Sequence, residues 1–389
     1  MNSTRLTAAV LCGVVVAAMV PTTASATGTR GELVSVTTVS QLDSGQVATY
    51  LTRYGLDSSR VRFGVDAKRI VYRTIDPNGA RTTASALVVL PRNDDRSLRQ
   101  VTWLHGTTGY RGSVASLSDG NDRASALLFA SAGYLTSAPD YLGLGTGPGF
   151  HPYLDGPSTV TASVDALRAT GELAKRNGRR ADPRVLVTGH SQGGQAAMAV
   201  GQALHRGAGR GLELGGLAPI SAPLHLSQAL RDGLAGDIDN GIAYLSYWTV
   251  AWNRLHHLYD SPAEAFQDPA VEEVFDGDHT NEEIFKRLPG SVAKLFTSDY
   301  RARLDNPTGV LRAKLREADS YCDWRPRVPV TLYTSGGDGD VKIGNSTYCR
   351  DRINRHHGKS TVIDLGKDVG HGQAAKLALP RVLADFDRR

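Results

Sequence analysis

The stretch that most constrains this 389-residue sequence is residues 184–199, where three local signals meet without a spacer. Arg184-Val185-Leu186-Val187-Thr188 is rich in strand formers, and Gln195-Ala196-Ala197-Met198-Ala199 is built of small helix formers. Only Gly189-His190-Ser191-Gln192-Gly193 and Gly194 lie between them. A chain that goes from strand to helix this quickly must turn sharply at the middle residue, Ser191. Flanking glycines let strand and helix approach where a Cβ would collide. The G-x-S-x-G pattern alone would arise about 0.3 times by chance at this composition. Its weight comes from the strand before it and the helix after it, the setting of a nucleophile elbow.

The surrounding pattern alternates between strand and helix. Residues 60–92 predict an antiparallel hairpin, with β-rich runs at 70–75 and 84–90 around the turn Asp76-Pro77-Asn78-Gly79. Then come a strand at 101–104, a helix at 122–132, a strand at 134–138 and a helix N-capped by Ser158 that ends before Gly178. A strand at 185–187, the elbow helix at 193–206 and a strand at 214–220 follow. Such alternation implies an α/β class with a mostly parallel sheet and helices on both faces. The rhythm stops at 221–327, a helical stretch with Trp248, Trp252 and Trp324, and resumes with a strand at 328–334, a helix at 346–357, a strand at 361–365 and a last helix from Gln373. The expected division is therefore core 27–220, helical cap 221–327 and core 328–389.

A serine hydroxyl is a poor nucleophile at neutral pH. It needs a histidine to take its proton and an acid to orient that histidine. After an elbow of this kind the chain order is Ser, acid, His. His371 sits in the glycine-flanked loop Val369-Gly370-His371-Gly372 between a late strand and the final helix, whereas His256, His257 and His279 fall in the expected cap. Ser335-Gly336-Gly337-Asp338-Gly339-Asp340 follows a strand and offers two carboxylates, Asp338 and Asp340. Acyl transfer also needs two N–H donors for the developing oxyanion. The backbone of Gln192, next to the nucleophile, and that of Thr107 in His105-Gly106-Thr107-Thr108-Gly109 are the natural pair.

These residues together resemble the capped secretory lipases and related actinobacterial secreted esterases of the α/β-hydrolase superfamily. The resemblance rests on His105-Gly106-Thr107, Ala138-Pro139-Asp140-Tyr141-Leu142-Gly143-Leu144-Gly145, His151-Pro152-Tyr153-Leu154, the Ser191 elbow, the Asp338 loop and Gly370-His371. It implies an α/β-hydrolase fold with an inserted helical cap and hydrolysis of acyl esters without metal or other cofactor. The family spacing, with the acid three residues before a valine (here Val341), selects Asp338, and Asp340 remains the alternative. The chain departs from the family at Thr334-Ser335-Gly336-Gly337-Asp338, which stands where His-Gly-x-x-Asp is usual.

The first 26 residues have the form of a signal peptide: Arg5, an apolar run at 6–20, and Ala24-Ser25-Ala26 as a cleavage site. Export places Cys322 and Cys349 in an oxidising compartment, with Cys12 removed, so a disulfide between them is expected. With 41% hydrophobic and 21% charged residues the chain is neither disordered nor a polytopic membrane protein. Lys/Arg and Asp/Glu are interspersed, which gives nucleic-acid binding no support. Gly143, Gly145, Gly147 and Gly149 lack dinucleotide-loop spacing, and Asp237-Ile238-Asp239-Asn240-Gly241 lacks the ligands of a calcium loop. Tyr244, Tyr247, Trp248 and Trp252 read either as an apolar acyl or aryl pocket or as a core stripe.

The function expected is a secreted serine esterase or lipase acting on a small-molecule or lipid ester, with transient contact to a lipid interface left open. A secreted aminopeptidase-type serine peptidase is the rival. A binding protein that lost catalysis is disfavoured by retention of the whole set. Oligomeric state is not legible.

Overall fold

The computed structural model describes residues 28–389, so the leader read at 1–26, with Cys12, lies outside the described residues. The chain opens with β1 (Leu33–Leu42), α1 (Ser44–Arg53) and a hairpin of β2 (Val65–Ile75) and β3 (Arg81–Pro91). The Asp76 carboxylate accepts from the Asn78 and Ala80 N–H groups and Gly79 takes φ +83°, which closes the hairpin turn. Next come β4 (Ser97–Leu104), α2 (Asn121–Ser131), β5 (Leu135–Pro139), α3 (Gly156–Arg176), β6 (Arg180–His190), α4 (Gln192–His205) and β7 (Glu213–Ile220). The end of the chain supplies β8 (Val330–Thr334), α12 (Gly344–Arg355), β9 (Ser360–Asp364) and α13 (His371–Asp387).

Between β7 and β8 the described chain is helical: α5 (Leu226–Ala235), α6 (Gly241–His256), α7 (Pro262–Ala265), a 3-10 segment Pro269–Phe275, α8 (Asn281–Arg287), α9 (Val292–Leu295), α10 (Ser298–Asp305), α11 (Gly309–Asp319) and a 3-10 turn Ser320–Cys322. A single bridge, Phe266 with Phe296, is the extended pairing found there.

The nine strands form one sheet in the order β1-β2-β3-β5-β4-β6-β7-β8-β9, antiparallel from β1 through the β3·β5 pair and parallel from β5 to β9. Register decides where chemistry can gather. Leu104 pairs with Gly189, His190 with Ile220 and Ile220 with Tyr333, so β4, β6, β7 and β8 finish level. The loops carrying Thr107, Ser191, Ser221 and Asp338 therefore leave the sheet at one edge, where open parallel sheets hold their sites.

Alternation along β6 divides the core. Val185 and Val187 join α4 and the helical insertion in one apolar cluster, whereas Leu186 faces a second cluster with α1, α2 and α13. The first cluster runs without a break from Leu217 of β7 and Met198 of α4 to Trp252, Phe266 and Leu315 of the insertion. The insertion is packed as an extension of the body. Cys322 and Cys349 are joined by a disulfide that fastens the end of the insertion to α12.

Two sequence expectations need correction. Ser158 does not cap α3: Asp155 does, its side chain accepting from the Ser158 N–H, and Pro157 occupies the first turn, where a missing N–H costs nothing. Strand β6 begins at Arg180, well ahead of the 185–187 expected, because its first half is polar and exposed on the sheet's lower edge.

Candidate active site

Ser191 lies between β6 and α4 with φ 58° and ψ −122°, a strained conformation for a residue with a side chain. Its neighbours explain how the strain is held. A Cβ on Gly189 would come within 2.3 Å of the Gly193 carbonyl oxygen, and one on Gly193 within 1.9 Å of the Leu104 carbonyl oxygen. On Gly194 it would press within 2.6 Å of the Ala222 side chain. The Ser191 N–H donates to Ile220 O at 2.9 Å, and the Ser191 carbonyl accepts from Gly194 and Gln195, which starts α4 immediately. The serine thus stands at a helix N-terminus, whose partial positive charge favours an anion.

His371 begins α13, and its Nδ1 lies 2.8 and 3.0 Å from the two carboxylate oxygens of Asp338. The Asp338 side chain has no accessible surface. Burial pushes its carboxyl up, but the His371 hydrogen bond and charge, the Val341 N–H and the adjacent Ser221 hydroxyl together hold it below the usual range. Its Oδ1 also accepts from the Asp340 and Val341 N–H groups. Asp340 points elsewhere: it accepts from Asn240 N at 3.1 Å and from Asn240 Nδ2 at 2.9 and 3.1 Å, at the start of α6. Beside this contact the Asp239 N–H donates to Gly339 O, and a Cβ on Gly339 would meet the Asp239 carboxylate at 2.1 Å. The insertion therefore grips the loop that carries Asp338.

It also grips the Thr107 loop. Asn281 of α8 accepts from the Gly109 N–H and the Thr108 hydroxyl. The Thr107 hydroxyl and the Tyr153 phenol are 2.8 Å apart. Gln192 donates through Nε2 to Nε2 of His151, whose Nδ1 in turn donates to Leu142 O. That arrangement requires a neutral imidazole, and burial together with the charge of His105 lowers the His151 pKa to about 3.

Ser191, His371, Thr107 and His190 line one cavity of about 340 Å³, with Tyr247 and Phe275 of the insertion forming part of its wall. A smaller cavity of about 70 Å³ reaches Ser191 and Gln192 from the other side, between Leu226, Leu230, Leu245 and Trp248. The aromatic group at 244–252 is thereby divided. Tyr244 and Tyr247 line the main cavity and Trp248 the small one, whereas Trp252 is a core residue whose indole N–H donates to Tyr153 O.

Sequence reasoning gave no role to His190, His151, Tyr153, Asn240 or Asn281. His190 donates from Nε2 to His371 O at 3.1 Å with the two rings 4.4 Å apart, and burial plus the charge of His371 lower its pKa to about 3. Its place inside the elbow motif was the one available signal. Asn240 and Asn281 are far in sequence from the loops they hold, so nothing local marks them. Among the described residues no cluster of His, Cys, Asp or Glu could hold a metal ion, and no helix is long and apolar enough to cross a membrane.

No protein-family model and no curated protein matches the chain. Solved structures do. A hydrolase from Legionella pneumophila aligns over 92% of this chain and 97% of its own, at 24% identity and TM-score 0.84. The rice cell wall degrading esterase LipA from Xanthomonas oryzae aligns over 93% of this chain and 98% of its own, at 25% identity and TM-score 0.82. Candida antarctica lipase A aligns over 89% and 78%, at 13% identity and TM-score 0.64. The chain has the α/β-hydrolase fold, with its mostly parallel nine-stranded sheet and helices on both sides.

Proposed function

We propose that this chain is an exported serine hydrolase that cleaves carboxylic esters through an acyl-enzyme on Ser191. The observation that carries the reading is the meeting, in one cavity, of a serine on a strained elbow and a histidine bound through Nδ1 to a buried carboxylate. Esterase and lipase neighbours on the same fold support ester hydrolysis, and the leader sequence and disulfide support export.

In this reading His371 keeps its Nδ1 proton on Asp338 and presents Nε2 as the base. The Ser191 Oγ attacks the ester carbonyl carbon as its proton moves to Nε2. The carbonyl π electrons go to oxygen, which is received by the Gln192 and Thr107 N–H groups. Collapse breaks the bond to the alcohol oxygen, and that oxygen takes the proton from Nε2. Water then repeats the sequence on the acyl-enzyme and frees the acid. Asp338 remains an anion throughout, which favours the transient imidazolium. The two cavities flanking Ser191 offer separate room for the acyl and alcohol portions.

The test is a panel of p-nitrophenyl esters of graded acyl length run beside aminoacyl p-nitroanilides, with Ser191→Ala as control. Ester turnover that falls by several decades in Ser191→Ala is the expected result. Preference for the anilides would replace the reading with a peptidase, and undiminished ester turnover in Ser191→Ala would remove the mechanism.

A further inference from the structure

The segment His151-Pro152-Tyr153-Leu154 sends two side chains to the two residues read as oxyanion donors. Nε2 of His151 accepts from the Gln192 side chain at 2.8 Å, and the Tyr153 phenol meets the Thr107 hydroxyl, also at 2.8 Å. A donor that uses its backbone N–H alone needs neither contact. The segment is fixed in place. Leu154 takes φ 57°, outside the region that side chains prefer, and the Trp252 indole donates to Tyr153 O. The Tyr153 ring is stacked 4.5 Å from that of Tyr247, which in turn lies 4.8 Å from the Phe275 ring. The phenol oxygen therefore has little freedom to move.

Between the two hydroxyl oxygens there is room for one proton, and its owner can be decided. Tyr153 is 3% exposed, and among the described residues its phenol has no partner but Thr107. With Thr107 as donor, the phenol proton would be left without an acceptor in a buried place, a costly arrangement. Tyr153 is thus the donor, and burial pushes its pKa up, so the proton stays on the phenol at any working pH. The Thr107 hydroxyl accepts that proton's hydrogen bond and keeps its own proton for another partner. It has none among the described residues, and Thr107 lines the cavity that holds Ser191. Its loop passes close to the nucleophile: a Cβ on Gly106 would stand 3.6 Å from the Ser191 Cβ. Oγ and the backbone nitrogen of a threonine are carried by adjacent carbons, so both can reach a single oxygen from one side.

We infer that the Thr107 hydroxyl is a third hydrogen-bond donor to the oxyanion, beside the N–H groups of Gln192 and Thr107, and that Tyr153 is the positioning residue that turns its proton into the cavity. No proton leaves either hydroxyl. The bond strengthens as charge builds on the carbonyl oxygen, so it is felt in kcat rather than KM. The inference rests on the acyl-enzyme reading of Ser191.

The test is kcat and KM on p-nitrophenyl butyrate for Thr107→Val, Thr107→Ser, Tyr153→Phe and the Thr107→Val/Tyr153→Phe pair, with Ser191→Ala alongside and a melting curve for each. Thr107→Val keeps the shape and the backbone N–H, and its kcat should fall roughly 10²-fold with KM within about threefold. Thr107→Ser should be about tenfold or more faster than Thr107→Val. Tyr153→Phe should lower kcat about tenfold in the parent but less than about twofold in the Thr107→Val background, because the phenol acts only through the hydroxyl. Should Thr107→Val fail to fold, Tyr153→Phe alone decides: its KM should hold while butylboronic acid, whose adduct on Ser191 is tetrahedral, inhibits it about tenfold more weakly than the parent. The inference is overturned by a Thr107→Val kcat within about threefold of the parent, by equal inhibition of Tyr153→Phe and parent, or by a Tyr153→Phe loss as large in the Thr107→Val background as in the parent, the result of a purely structural contact. Full ester turnover in Ser191→Ala would remove the acyl-enzyme reading itself, and this inference with it.

Discussion

Replacing Asp338 and Asp340 by asparagine, one at a time, separates the two carboxylates of one loop. His371 Nδ1 sits 2.8 and 3.0 Å from the Asp338 oxygens, so its proton must point there and Nε2 is left bare to accept from Ser191. Asparagine can turn its NH2 toward Nδ1 and draw the imidazole into the other tautomer, with the proton on Nε2, where it cannot act as a base. In serine hydrolases that change lowers kcat by about 10⁴, equivalent to ~5.4 kcal/mol of barrier. Asp340→Asn replaces one acceptor oxygen in a different set of contacts, those from Asn240 and the Tyr244 hydroxyl, and leaves the Asp338–His371 hydrogen bonds in place. Its expected cost is roughly 1–2 kcal/mol of stability, with kcat within about threefold of the parent. The assay is kcat and KM on p-nitrophenyl butyrate, with urea unfolding of each variant as the stability measure. Asp338→Asn retaining more than about a tenth of the parental kcat, or Asp340→Asn losing most of it, would refute the assignment.

Three further outcomes are expected. Cys322→Ser/Cys349→Ser opens a loop with a sequence separation of 27 residues and should cost roughly 3–4 kcal/mol by the loop-entropy relation; equal denaturation midpoints with and without the bond would contradict it. Gly193→Ala places a Cβ 1.9 Å from the Leu104 carbonyl oxygen, so the variant should lose activity and unfold at lower temperature, and an unaltered melting curve would show that the elbow is slack. His151 titrates near 6.5 when unfolded but at about 3 when folded, so between these pH values the unfolded chain holds the extra proton. Its share of the stability is complete above 6.5 and drains away as pH falls toward 3, by ~1.4 kcal/mol per pH unit. Unfolding free energies of His151→Asn from pH 6 to 4 should show a slope shallower by about that amount; a parallel slope would mean His151 is charged in the fold.

What the sequence disclosed follows from how local each signal is. The alternation from β4 to β7 and from β8 to α13 was readable because buried parallel strands are short apolar runs and their crossover helices carry caps and breaks. Strand β1 was not, since it is an edge strand with Leu33 as its one buried residue and so has no two-residue rhythm. Helix α1 did leave a trace: Asp43 and Gln46 form a capping box, with Val47 and Leu51 behind it on one face. At the site, Ser191, His371 and the acid loop were legible because an elbow motif and chain order fix them. The clamps at Asn240 and Asn281 were not, because each meets its loop only through the tertiary fold.

The insertion holds the Thr107 loop through Asn281 and the acid loop through Asp239 and Asn240. A chimaera that imports another relative's insertion at the β7 and β8 junctions would therefore arrive with the wrong hands for both loops. The unit that can be exchanged between such proteins is the insertion together with residues 107–109 and 338–341. Substrate preference and catalytic geometry would be inherited as one piece.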